Sequence, residues 1–252
     1  MNTISKQQDD YREQIIRFTE ATAVGKNDLV RRDLPDESAM QFVEMFTDGN
    51  LEKRHGKIKD QLDVLEVGYD RLDEFIDRFI REVPLAAYDT GCTDTERFLK
   101  WLLVNTPLSR ETRDRVTCHR SRNAVEFKAA ENRLGHVRFQ EISASRNLFL
   151  QEWGENLNLW MHLNPIHVEA VFRTRELLDD ETELPAAVMF FPVGNNIHTA
   201  VLEPAGQDLV HLLDENGPAR LAEIVLQTSF EDRWELIATC RELAEMGLAA
   251  FG

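Results

Sequence analysis

Through the first two-thirds of the chain, apolar residues recur at helical intervals. Over residues 69–83, Leu72, Phe75, Ile76, Phe79 and Ile80 fall on one stripe, and Pro84 ends the segment. Thr93 and Glu96 form a T-x-x-E capping pattern ahead of Phe98, Leu99, Leu102 and Leu103, and Pro107 closes that helix. Pro35 and Glu37 open an earlier helix carrying Met40, Phe42, Val43 and Phe46, which Gly49-Asn50 is expected to stop. Residues 122–134 and 147–153 carry weaker helical patterns. The expected body is a helical bundle, with no glycine-rich phosphate loop and no repeat.

Near Leu157 the periodicity changes. Residues 162–172 hold Ile166, Val168 and Val171 in partial alternation and predict one extended segment. An acidic loop follows over 178–185, with Asp179, Asp180, Glu181 and Glu183. A hairpin is then expected: a strand over 187–193, a turn at Gly194-Asn195-Asn196, and a return strand over 197–202. Gly and Asn tolerate the positive φ that tight hairpin turns require. Pro204-Ala205-Gly206 breaks the sheet, and three helical pieces follow. The first covers 208–214 and stops at Asn216-Gly217. The second starts near Pro218 and runs to about Gln227. The third is capped by Ser229 with Asp232 in its first turn, carries Trp234, Ile237, Cys240 and Ala244, and ends at Gly247. Residues 248–251 return as a short strand.

Charge narrows the partners. The formal net charge is −16, which repels duplex nucleic acid and anionic membranes unless a local patch overrides it. One basic stretch exists, residues 109–146, with nine Lys and Arg against five acidic residues. A solvated helix face explains it plainly; a docking surface for an acidic partner is the functional alternative. No apolar run is long enough for a membrane span. The polar first ten residues do not read as a secretory signal. Cys92, Cys118 and Cys240 are widely spaced and form no metal or redox motif, which fits a reducing cytoplasm. Cys240, inside a helical pattern, is expected to be a small buried apolar residue.

Catalytic constellations are not legible. None of the seven histidines sits in an H-E-x-x-H helix or a zinc-type Cys/His set. His162 and His167, in a segment expected to be extended, should point to opposite faces. Adjacent Cys118 and His119 diverge by about 100° on a helix, which argues against a nucleophile–base pair. There is no G-x-S-x-G elbow, and the carboxylates scatter. The chain therefore reads as no self-sufficient enzyme, with no catalytic, cofactor or metal residues to nominate.

Two strands, two short helices and a longer third helix make a winged helix-turn-helix order. Such modules either read DNA with the third helix or leave a sheet edge open to an added peptide strand. The third helix, 230–246, has five acidic residues against Arg233 and Arg241. That net of −3 opposes phosphate contacts and leaves peptide capture standing. The alternative reading is an acidic winged-helix transcriptional regulator that binds DNA through the basic stretch.

The run from His211 to Phe251, H-L-L-D-E-N-G-P-A-R-L-A-E-I-V and later R-E-L-A-E-M-G-L-A-A-F, resembles the PqqD-like recognition element of ribosomal-peptide biosynthesis. A helical body, the link N-L-W-M-H-L-N-P-I-H-V-E-A-V-F at Asn158 to Phe172, then hairpin and helices, is similar to the partner subunits of multinuclear non-haem iron oxidative enzymes, the 3-thiaglutamate pathway's among them. The resemblance implies an α+β fold in two domains. Residues 1–156 would be a helical, partner-docking domain, and residues 157–252 an extended link plus a winged-helix module with a small antiparallel sheet. It also implies a cytoplasmic heterodimer that binds no nucleic acid or membrane. This chain would present a precursor peptide, while the iron and the oxidation of a peptide residue, a cysteine by analogy, belong to the partner. In this reading backbone groups of Ile197, Thr199 and Val201 take the added strand, and Trp234, Ile237 and Arg241 flank it. Val188 and Phe190 mark the other strand should the opposite edge be open.

Overall fold

The computed structural model describes residues 13, 15–19, 37–63, 71–83, 92–146, 158–227 and 233–252. The fold is α+β, with two small antiparallel sheets. The chain divides into two compact units, residues 1–108 and 109–252. The division expected from sequence lay at 156. The helices over 110–146 instead group with the sheets that follow them.

The first unit contains α1 (Glu37–Asp63), α2 (Leu72–Glu82) and α3 (Asp94–Asn105), each in contact with the other two. The buried apolar stripe of α2 (Leu72, Ile76, Phe79 and Ile80) is the one expected, except that Phe75 lies at its margin. Thr93 caps α3 as expected: its hydroxyl accepts from the Glu96 N–H at 3.1 Å. Helix α1 corrects the sequence reading, because it continues through Gly49-Asn50 to Asp63. Its buried positions, Met40, Val43, Thr47, Arg54, Ile58 and Leu62, keep helical spacing across the glycine. A glycine inside a helix costs only about 1 kcal/mol relative to alanine, less than that stripe contributes. Arg54, only 6% exposed, hid the continuation. Its guanidinium grips the Asp94 carboxylate, with Nη2 2.8 Å from Oδ1. Nη1 donates to the carbonyls of Ile80 (3.1 Å) and Val83 (2.7 Å), and the group lies over the Phe79 ring. One buried cation thereby satisfies the end of α2 and pairs with the start of α3.

The second unit opens with α4 (Arg110–Glu131) and α5 (Arg133–Arg146). The stretch expected as one strand is two: β1 (Trp160–Leu163) and β2 (Val168–Phe172), in different sheets. Asn164-Pro165 separates them, and buried Asn164 explains why. Its amide donates to the carbonyls of Pro192 (3.3 Å) and Gly247 (3.2 Å). Its Oδ1 accepts from the Ile166 N–H at 3.1 Å, and its backbone N–H reaches the Leu248 carbonyl at 2.8 Å. A fully satisfied buried amide of this kind fixes the chain's change of direction.

The expected hairpin is present, β3 (Ala186–Val193) and β4 (Asn196–Val201), but its turn is two residues, Gly194-Asn195, with Gly194 at φ +61°, because Asn196, expected in the turn, pairs with Val193. Sheet order is β2-β3-β4. Helix α6 (Pro204–Asn216) starts four residues earlier than expected, because Pro204 occupies its first turn, where the missing N–H costs nothing. Then come β5 (Ala219–Arg220), α7 (Leu221–Gln227), α8 (Arg233–Glu245) and β6 (Ala249–Phe251). The second sheet runs β5-β1-β6. Gly247 ends α8 at φ +83°, as expected. The expected helix over 147–153 and the Ser229 cap lie outside the described residues.

Sheet β2-β3-β4 has apolar contacts on both faces. Val188, Phe190, Ala170 and Phe172 pack with Val125 of α4. Met189 and Phe191 join Leu209, Leu213, Leu236, Ile237, Cys240 and Leu243 from α6 and α8. Asp114 anchors α4 to the end of β2: one carboxylate oxygen accepts from the N–H groups of Arg173 (2.9 Å) and Thr174 (2.7 Å) and from the Thr174 hydroxyl (2.7 Å). No helix among the described residues is long and apolar enough to cross a membrane.

Candidate functional site

The two-residue turn fixes which β4 groups point where. Val193 and Asn196 close the hairpin as a hydrogen-bonded pair, so hydrogen-bonded and non-bonded pairs alternate from there. Phe191↔His198 and Met189↔Ala200 bond across to β3. Pro192↔Ile197, Phe190↔Thr199 and Val188↔Val201 do not. The hydrogen bond from the Leu202 N–H to the Ala187 carbonyl continues this alternation, and Pro192 falls where no donor toward β4 is needed. The backbone N–H and C=O of Ile197, Thr199 and Val201 therefore face away from β3. Among the described residues no strand pairs with β4 on that side. Val188 and Phe190 lie on β3, the central strand, and form no edge.

Side chains alternate with the backbone. Ile197, Thr199 and Val201 share the face that packs toward α4, where Ile197 is half-buried and Val201 is 43% exposed. His198 and Ala200 share the face toward α6 and α8; the His198 ring tilts over Phe191 with centroids 6.4 Å apart.

The apolar side of helix α8 shares a core cluster with Met189 and Phe191 on one face of this sheet. A β-carbon at Gly206, in the first turn of α6, would lie 3.8 Å from both Leu202 Cβ and Thr239 Cγ2. One placed at Gly247 would lie 3.0 Å from Val193 Cγ2. Thr239 of α8 and Leu202 thus both lie against Gly206 of α6, and Gly247, just past α8, lies against Val193 at the end of β3. Of the flanking residues expected from sequence, Trp234 is 70% exposed and Arg241 is exposed. They stand about 140° and 160° round the helix from Thr239. Ile237 is 4% exposed and belongs to the core beneath α8, so it supports the helix and offers no surface to a ligand. Glu235 and Glu242, four residues before and three after Thr239, share its flank, and both are exposed. Sequence reasoning missed these two, because the rotation of α8 about its axis is not written in its periodicity alone.

Other chemistry-bearing residues are placed as follows. Cys240 is fully buried, and burial lifts its thiol to about 12, as expected of a core cysteine. Burial also raises Cys118. His119 is held down to about 4, first by burial and then by the Arg122 charge, and its Nε2 is 3.3 Å from the Asn123 amide nitrogen. This pair lacks an activated thiolate. His162 and His167, expected on opposite faces, line one cleft of about 530 Å³ with Arg138, Asn164 and Asp214, because the strand breaks between them. His167 is 2.8 Å through Nδ1 from the Asn164 carbonyl and 3.3 Å through Nε2 from Asp214. Among the described residues, no three His, Cys, Asp or Glu side chains converge as metal ligands. The basic stretch lies on α4 and α5. There Arg115 pairs with Glu176, and Lys128 donates to the His167 carbonyl at 2.9 Å. No family model, curated protein or solved structure matches this chain.

Proposed function

We propose that this chain is a peptide-recruiting subunit: it holds a precursor peptide as an extra strand on β4 and presents it to a partner oxidative enzyme that carries the iron. The observation that carries the reading is the β4 edge, where three outward-facing residues offer backbone donors and acceptors at alternate positions. Main-chain hydrogen bonds supply affinity in such strand addition, and alternate side-chain positions supply selectivity.

A winged-helix arrangement is compatible with the connections. Helices α6, α7 and α8 follow one another, with β5 between the first two and β6 after the third. The strand between β5 and β6 is β1, drawn from before the helices. Peptide is favoured over DNA because the exposed positions of α8 carry Glu235, Glu242 and Glu245 against Arg241.

The reading is tested by expressing the chain with the iron enzyme and the short peptide encoded beside it. A ternary complex should co-purify, and Thr199→Pro should release the peptide while the two proteins stay together. A peptide retained undiminished by the proline variant would remove β4 from the account.

A further inference from the structure

A cavity of about 660 Å³ lies within the first unit, a size typical of small-molecule sites. Its walls are largely apolar: Phe18 from the helical turn at residues 15–19, and Phe46, Leu51 and Ile58 from α1. Ile58 is fully buried whereas Phe46 is 48% exposed, so the lining runs from the core to the surface. Its charge is one-sided. Lys53 and Lys57 line it, and no acidic residue of α1 does. Asp94 also lines it, but Arg54 already holds both oxygens of that carboxylate. Among the described residues neither lysine forms an ion pair. Phe46, Asn50, Lys53, Lys57 and Gln61 all line the cavity, at the helical spacing that makes one stripe of α1. Two like charges four residues apart on a helix repel each other, and an anion held between them would relieve that repulsion.

We propose that this cavity binds a single-chain amphiphile with an anionic head, its tail against Phe46, Leu51 and Ile58 and its head at Lys53 and Lys57. The tail follows from the apolar walls, the sign of the head from the two uncompensated ammonium groups beside them. A lysine is a flexible point charge and requires no planar, bidentate acceptor, so carboxylate and phosphate heads both satisfy the pair. Arg54, the guanidinium lining the cavity, is committed to Asp94. The site belongs to the first unit and does not depend on strand addition at β4.

The test uses the full chain, isotope-labelled, with decanoate, decyl phosphate, decanol, decyltrimethylammonium and acetate, each below its aggregation threshold. Decanoate or decyl phosphate should shift the methyl signals of Leu51 and Ile58, and the tighter of the two identifies the head. That affinity should fall severalfold between about 0.05 M and 0.5 M salt, and about tenfold in the Lys53→Gln, Lys57→Gln double variant. The melting temperature of the double variant should not fall, because a repulsive pair has been removed. Decanol and decyltrimethylammonium should bind about tenfold more weakly than the anions, and acetate, which lacks the tail, should leave both methyls unmoved. Equal binding of decanol, or undiminished binding of the anions by the double variant, overturns the anionic head and with it the proposal. So do shifts confined to the core of the second unit, such as Leu236 and Leu243, which would mark detergent-like attack, and silence of Leu51 and Ile58 toward every probe.

Discussion

Thr199 and His198 are neighbours on one strand, yet proline should act on them in opposite ways. The N–H of His198 bonds across to β3, whereas that of Thr199 faces outward. His198→Pro removes a ladder bond and should cost about 3 kcal/mol. Thr199→Pro removes only the outward donor, on an edge strand that tolerates it, and should change stability by less than about 1 kcal/mol. Denaturant melts of the two variants decide this, and equal losses would contradict the register. At Asn164 the expected loss is larger than its size suggests. Asn164→Leu strands the carbonyls of Pro192 and Gly247 and the N–H of Ile166, and should cost about 2–4 kcal/mol.

Protonation at His119 has a definite sign. Its ring is held down to about 4 in the folded chain, against an ordinary value of about 6.5. The unfolded chain therefore takes up this proton first, and stability falls as pH drops from about 6.5 toward 4. His211 runs the other way. Its hydrogen bond to Glu169, at 2.7 Å, raises its value despite partial burial, so its small contribution is present at low pH and fades as pH rises through the raised value. Ring titrations followed by NMR should place His119 below and His211 above the ordinary range; a reversed order would contradict the packing described for both.

At the scale of elements, glycines separate what local sequence shows from what it hides. Gly194 and Gly247 were legible as turn and cap because positive φ is a local demand, met at +61° and +83°. Gly49 looked like a stop, yet it lies mid-helix with nothing within 4 Å of a β-carbon placed there. Gly49→Ala should therefore raise stability by about 0.5–1 kcal/mol, whereas Gly247→Ala should lower it, since a β-carbon at that positive φ would lie 3.0 Å from Val193 Cγ2. A destabilised Gly49→Ala variant would restore a helix end there. The continuation of α1 was hidden because a buried arginine breaks an apolar pattern, and Arg54 is acceptable inside through partners distant in sequence, Asp94 and the Ile80 and Val83 carbonyls. The same holds for β1 and β2, where the long-range bonds of Asn164 split a segment whose local composition reads as one strand. The hairpin was legible from Gly194 and its flanking strands, but its register and open edge were not: Asn196, expected in the turn, pairs with Val193, and it is β2 on the far side of β3 that leaves β4 at the edge.

At the scale of the molecule, the position of α4 sets what can be cut away. Val125 of α4 packs against the cluster holding Val188, Phe190, Ala170 and Phe172, and Asp114 ties α4 to the end of β2. A fragment of residues 109–252 should fold and melt cooperatively. A fragment of 157–252 exposes that apolar face and should aggregate or lose its tertiary signal. Circular dichroism of the two fragments distinguishes them, and a well-folded 157–252 fragment would move the boundary back to the place expected from sequence.

Amide hydrogen exchange along β4 distinguishes an open edge from a covered one. In the free chain the amides of His198 and Ala200 should exchange slowly, bonded to β3, while those of Ile197, Thr199 and Val201 exchange fast. Adding the short peptide encoded beside the chain should slow those three and so abolish the alternation. Protection of all five amides in the free chain, or fast exchange at 197, 199 and 201 with peptide bound elsewhere on the molecule, would contradict strand addition at β4.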